Sequence, residues 1–166
     1  MGYFCFKNKK YGRFMNSNGP HGDYQAGAGG ASCDGPWEQW YVYERKDVQD
    51  LPVVGGVRHE WERYKGDIDE RDEFRIAALE SKEFGRYLTS NERGSVEARA
   101  TKIGPWEAWD IAKHDNSYVI RSCTHNRFLA AEYSGGDPGT NTKLITVEQI
   151  NEAALWKLHF ARTQPA

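Results

Sequence analysis

Three observations in the sequence predict an all-β fold. A short motif returns three times, each copy is flanked by short β-rich runs ending in polar turns, and glycine is plentiful at 17 residues. The motif is Tyr11-Gly12-Arg13-Phe14-Met15, then Phe84-Gly85-Arg86-Tyr87-Leu88, then His125-Asn126-Arg127-Phe128-Leu129. Each copy is an aromatic or His, a turn-former, Arg, an aromatic and a large apolar residue. Internal repetition of this kind marks a fold assembled from equivalent units that cannot bury their apolar faces alone.

Within each unit four short strands are predicted. The first lies before the motif, at Tyr3 to Lys7, Phe74 to Leu79 and Tyr118 to Cys123. The motif opens the second. The third is Tyr24-Gln25-Ala26, Val96-Glu97-Ala98 and Leu144 to Val147. The fourth follows a further landmark: Gly35-Pro36-Trp37-Glu38-Gln39-Trp40-Tyr41-Val42 matches Gly104-Pro105-Trp106-Glu107-Ala108-Trp109-Asp110-Ile111, and the third copy is reduced to Leu155-Trp156-Lys157-Leu158. Alternation of Trp40 with Val42 and of Trp109 with Ile111 turns one face of that strand inward. Helix is expected only as a single turn near Val147 to Ala154.

Twelve short strands in three fourfold repeats predict a β-trefoil, a six-strand barrel capped by three hairpins. The repeats run over about 1–45, 74–115 and 116–161 of one domain spanning 1–166, with an insertion at 46–73. Phe14, Tyr87 and Phe128, with Trp40, Trp109 and Trp156, are expected to fill the barrel, each ring contributing roughly 1.5–3 kcal/mol or more on burial. In the insertion, Gly55-Gly56 is expected to turn a hairpin, Trp61 and Tyr64 to fold onto the barrel, and Gly66 to Glu73 to form a solvated acidic run.

Charge and composition narrow the function. Lys and Arg number 22 against 24 Asp and Glu, a net charge of -2, which argues against a nucleic-acid partner. No apolar run spans a bilayer, so no membrane partner is expected. The three cysteines, Cys5, Cys33 and Cys123, show no paired spacing, and no Asn-x-Ser/Thr acceptor occurs. A cytoplasmic chain is therefore expected, secreted if the native gene has a signal peptide.

Catalytic and metal-binding motifs are not found. His59-Glu60-Trp61-Glu62-Arg63 has Arg where a zinc-protease pattern needs its second His, and Cys123-Thr124-His125 has no second ligand pair. Ala26 to Gly30 does not open a helix after a strand and reads as a flexible turn. No nucleophile signature or carboxylate pair stands out. The chain is expected to be a binding protein without cofactor or metal, and not an enzyme.

Gly85 to Leu88 and Ile103 to Trp109 resemble the fascin-like β-trefoil domains, and the resemblance covers the chain outside 46–73. It implies a non-enzymatic module that binds actin or another cytoskeletal protein. A basic turn, Lys7, Lys9 and Lys10 with Arg13 nearby, would then contact acidic actin; a soluble turn explains the same residues. The alternative is a carbohydrate-binding, lectin-like module. Its candidates are Asn18, Asp23 and Tyr24 in repeat one and Tyr133, Asp137 and Asn141 in repeat three, where an aromatic face and side-chain acceptors would meet a sugar. Arg13, Arg86 and Arg127, and Glu38 and Glu107, occupy equivalent positions and are expected to tie each hairpin to its neighbour.

Overall fold

A computed structural model describes residues 2–49, 57–66 and 71–162. Its strands are β1 (Gly2–Asn8), β2 (Phe14–Ser17), β3 (Ala26–Gly30), β4 (Trp40–Gln49), β5 (Val57–Arg63), β6 (Glu73–Ser81) and β7 (Tyr87–Ser90). They continue as β8 (Val96–Ala100), β9 (Trp109–His114), β10 (Ser117–Ser122), β11 (Phe128–Tyr133), β12 (Thr142–Val147) and β13 (Trp156–Arg162), with one helical turn, α1 (Pro138–Asn141).

Antiparallel pairing closes β1, β4, β6, β9, β10 and β13 into a ring. The hairpins β2–β3, β7–β8 and β11–β12 close one end, and they meet through the pairs Lys143 with Gly27, Gln25 with Glu97 and Ser95 with Ile145. This is the expected β-trefoil, with β5 added outside the repeats.

The three repeats build the barrel with the same bonds. Trp40, Trp109 and Trp156 are fully buried, and their indole N–H groups donate to the carbonyls of Met15 (3.2 Å), Leu88 (3.0 Å) and Leu129 (3.0 Å). Each Trp therefore satisfies its polar handle while filling the core. The residues that join them from the motif are Met15, Leu88 and Leu129, all fully buried. Phe14, Tyr87 and Phe128 are only half-buried, contrary to the expectation that they fill the barrel. Side chains alternate along a strand, so only one of two adjacent large residues can face inward.

Turn chemistry is repeated as faithfully. Gly12, Gly85 and Asn126 adopt φ of +67°, +66° and +54°, and their N–H groups donate to the carbonyls of Asn8, Ser81 and Ser122. Gly and Asn are the residues that enter this left-handed region most readily. Asn8 Oδ1, Ser81 Oγ and Ser122 Oγ then accept from the N–H groups of Tyr11, Phe84 and His125.

Other expectations need correction. The third strand of repeat one is Ala26–Gly30, so the segment read as a flexible turn is strand and Tyr24-Gln25 lies before it. The backbone there is crowded. A Cβ on Gly27 would sit 2.7 Å from the Thr142 carbonyl oxygen, and one on Gly29 would sit 2.5 Å from that of Gly139. Helical turns are also more frequent than expected, at Pro20–Gly22, Pro36–Glu38, Pro105–Glu107, Glu152–Ala154 and α1. Finally, Cys5 and Cys33 form a disulfide, their Cα atoms 5.9 Å apart, leaving Cys123 free. The expected cytoplasmic location rested on cysteines without partners, and two of the three are paired.

The insertion is tied to the barrel. β4 runs on past the barrel to Gln49 and pairs with β5 from Tyr43–Arg63 to Gln49–Val57. Gly55-Gly56 lies outside the described residues, as does part of the acidic run. Tyr64 does fold onto the barrel, with ring centroids 4.9 Å from Phe74 and 6.1 Å from Phe4. The Arg63 guanidinium stacks 3.9 Å from the Tyr41 ring, and Arg71 lies 4.5 Å from the Phe74 ring while gripping both carboxylate oxygens of Glu44.

Candidate functional site

The basic turn between β1 and β2 brings Lys7, Lys9 and Lys10 together. Lys9 and Lys10 are exposed, and the Lys7 and Lys10 ammonium groups lie 5.8 Å and 5.3 Å from the rings of Phe14 and Tyr11. Arg13 does not join them. Its Nε and Nη2 donate to the Gly29 carbonyl at 2.9 and 2.5 Å. Arg86 makes the same link to the Arg99 carbonyl at 3.0 Å, and Arg127 to that of Thr146 at 2.8 Å. Each Arg thus locks the second strand of its repeat to the third. The acceptors are backbone carbonyls, so these guanidinium groups brace the hairpins.

The sugar candidates fall into two separate groups. In the first, Asp23 and Tyr24 both adopt positive φ, 53° and 57°. The Asp23 carboxylate accepts from Arg99 at 3.0 Å, and the Tyr24 ring lies 4.7 Å from Arg86 and 5.3 Å from Arg99. Asn18 Oδ1 accepts from Asn16 Nδ2 at 2.9 Å. In the second group, the Tyr133 hydroxyl donates to the Gly136 carbonyl, Asp137 caps α1 by accepting from Gly139 N–H at 2.9 Å, and Asn141 Nδ2 donates to the Gly135 carbonyl at 2.7 Å. The first set ties its loop to Arg86 and Arg99 of repeat two, and the second holds its own loop in shape.

The surface that the sequence did not point to is aromatic. Trp37 and Trp106 occupy the same position in repeats one and two, each in a Pro-Trp-Glu 3-10 turn, and remain 44% and 41% exposed. Each is braced by the first residue of the next repeat's motif. Phe84 lies 6.0 Å from Trp37, and His125 lies 5.4 Å from Trp106, ring centroid to ring centroid. In repeat three the corresponding residue is Ala153, buried in a cluster that includes Tyr11. The platforms therefore occur twice. The only available signal was the repeated Gly-Pro-Trp-Glu landmark, in which a tryptophan reads as core.

Polar groups accompany both rings. Beside Trp37, burial raises the Glu38 carboxyl above the usual glutamate range. Beside Trp106, Glu107 accepts from Gly104 N–H at 2.7 Å and from the Thr89 hydroxyl at 2.9 Å. The Thr124 hydroxyl donates to the Pro105 carbonyl at 2.7 Å, joining the Trp106 turn to the His125 turn. His125 Nε2 is buried with no hydrogen-bond partner among the described residues. No group of three or more His, Cys, Asp or Glu among the described residues is arranged to hold a metal ion.

No protein-family model and no curated protein sequence matches the chain. Solved structures do. A designed threefold-symmetric protein, ThreeFoil, is similar with a TM-score of 0.61 at 16% identity, over 94% of this chain and 96% of its own. SeviL, solved bound to asialo-GM1 saccharide, is similar at 0.59 and 15%, over 96% and 97%. The SDF2-like protein from Arabidopsis thaliana is similar at 0.63 and 10%, over 98% and 94%. The chain is a β-trefoil. These likenesses carry the fold and give no support to the fascin family.

Proposed function

We propose that the chain is a non-enzymatic carbohydrate-binding module and that Trp37 and Trp106 are its sugar-stacking surfaces. The observation that carries this reading is the repeated exposure of an indole at one position of two repeats. Leaving on the order of 100 Å² of each ring in water forgoes about 2–3 kcal/mol of burial. A single exposed apolar residue calls for no explanation, but a braced pair at equivalent positions makes a repeated platform. A pyranose offers an apolar C–H face to such a ring and hydroxyls to the polar groups around it. The trefoil fold, shared with SeviL, is compatible with this use, although fold alone does not assign a ligand.

The test is a panel of immobilised glycans that includes the asialo-GM1 saccharide. Wild-type protein is expected to bind part of the panel, and the double variant Trp37→Ala/Trp106→Ala to lose that binding while keeping its melting temperature. Lys9→Glu/Lys10→Glu serves as the control and is expected to bind as wild type does. Protein that ignores the panel and pellets with filamentous actin would overturn the reading in favour of the basic turn.

A further inference from the structure

The two tryptophan platforms stand on different supports. In repeat two, hydrogen bonds hold the Pro105–Glu107 turn: Glu107 accepts from Gly104 N–H and the Thr89 hydroxyl, and the Thr124 hydroxyl donates to the Pro105 carbonyl. Repeat one has Asn16 and Glu83 where repeat two has Thr89 and Thr124. Asn16 turns to Gly29 N–H and to Asn18, and among the described residues no hydrogen bond reaches the Glu38 carboxyl. In place of those bonds, Cys33 is joined by its disulfide to Cys5 of β1. We propose that this disulfide is a redox switch on the Trp37 platform: a dithiol that reduces it frees the turn and weakens Trp37 as a stacking surface, while the Trp106 platform is unaffected. The proposal rests on the reading of both indoles as sugar-stacking surfaces.

The segment that the disulfide holds has little else to hold it. Ser32, Asp34 and Pro36 are exposed, and Cys33 is partly so. Apart from the disulfide, the hydrogen bonds of residues 32–36 among the described residues are local. Asp34 N–H donates to Ser32 Oγ at 3.3 Å, Glu38 N–H to the Gly35 carbonyl at 3.2 Å and Gln39 N–H to the Pro36 carbonyl at 3.4 Å. Gln39 Nε2 donates to the Cys33 carbonyl at 2.9 Å. The barrel has no such dependence. The pairs Phe4 with Trp40, Ala77 with Trp109 and Tyr118 with Trp156 place Ala78 and Val119 where repeat one has Cys5. All three are buried, so the ring closes at this position in repeats two and three without a covalent bond. A Cys5 thiol also suits the site, because a free cysteine packs as a small apolar residue.

Reduction proceeds by thiol–disulfide exchange. A thiolate of the dithiol attacks Cys33 Sγ, since Cys33 is partly exposed and Cys5 is fully buried. The bond between the two protein sulfurs breaks, and Cys5 leaves as a thiolate and takes up a proton. The second thiol of the dithiol then displaces Cys33 and closes a cyclic disulfide. Two electrons and two protons pass from the dithiol to the protein, giving two cysteine thiols and one oxidised dithiol. A ligand that seats on Trp37 must then order a segment that the disulfide had already ordered, and its affinity falls accordingly.

The test compares the oxidised chain with the chain reduced by dithiothreitol. Backbone nitrogen relaxation is expected to give order parameters of about 0.85 at 32–38 and 101–107 before reduction, and below about 0.6 at 32–38 alone after it. The Trp37 indole N–H should follow 32–38, and that of Trp106 should not. Cys5→Ala/Cys33→Ser is expected to show the reduced pattern with or without dithiothreitol. A segment 32–38 that stays rigid on reduction, or loosening spread equally over the chain, would overturn the proposal. On immobilised asialo-GM1 saccharide, Trp106→Ala, which keeps only the Trp37 platform, is expected to bind roughly tenfold more weakly once reduced. Trp37→Ala is expected to bind equally in both states. Equal losses in the two variants, or none in Trp106→Ala, would also overturn it. A chain that ignores the saccharide in both states counts against the sugar-stacking reading, and the relaxation result then decides the release by itself.

Discussion

Glu38 and Glu107 stand at one position of two repeats, yet the fold treats them differently. Glu107 satisfies Gly104 N–H and the Thr89 hydroxyl, so its carboxylate is part of the turn. Glu38 has its carboxyl raised by burial, so folding favours the protonated form. Its contribution is fully present below the ordinary glutamate value and is lost as pH rises through the raised one. Glu38→Gln is therefore expected to raise the melting temperature at pH 7 and to flatten its dependence on pH on the acid side. Glu107→Ala is expected to cost about 1–3 kcal/mol by urea unfolding, since it leaves donors unpaired. Equal effects from the two would contradict this account. At this scale the sequence showed that the positions were equivalent. It could not show their different surroundings: Glu38 packs on Gly30, where an added Cβ would lie 2.4 Å from Glu38 Cγ, while Glu107 is held by hydrogen bonds.

Among the elements, the tryptophan strands and the motif turns were legible because alternation and turn residues are local properties. The third strand of repeat one was not. Ala26-Gly27-Ala28-Gly29-Gly30 has neither β-branched residues nor alternating polarity, and it is strand because the backbones of 138–142 press against it. Cys5 and Cys33 were illegible as a pair for a related reason. They are 28 residues apart, and connectivity follows from the folded path of β1 and the loop before the Pro36 turn. Closing a loop of that length is expected to contribute about 3–4 kcal/mol in the chain-entropy model. Cys33→Ser should lower unfolding stability by that order, and non-reducing peptide mapping should recover Cys5 linked to Cys33. Recovery of three free thiols from the unreduced chain would contradict the pairing.

Taken whole, the molecule is a threefold scaffold with two departures from symmetry. The β4–β5 hairpin extends one strand and borders a cleft at Trp61, while repeat three replaces the exposed tryptophan with buried Ala153. The scaffold was readable because its repeats recur in sequence. The aromatic platforms were not, because Trp37 and Trp40 lie three residues apart in one motif and only the fold sends one outward and the other inward. The polar sugar candidates chosen from the loops proved to be engaged already, Asp23 across to Arg99 of repeat two and Asp137 and Asn141 within their own loop.

Isothermal titration with the glycan that gives the strongest response in the panel tests the platform account most directly. The two exposed tryptophans predict two equivalents bound per wild-type chain, one for Trp37→Ala or Trp106→Ala, and none for the double variant, at unchanged melting temperature. Binding whose stoichiometry and affinity survive in the folded double variant would contradict it.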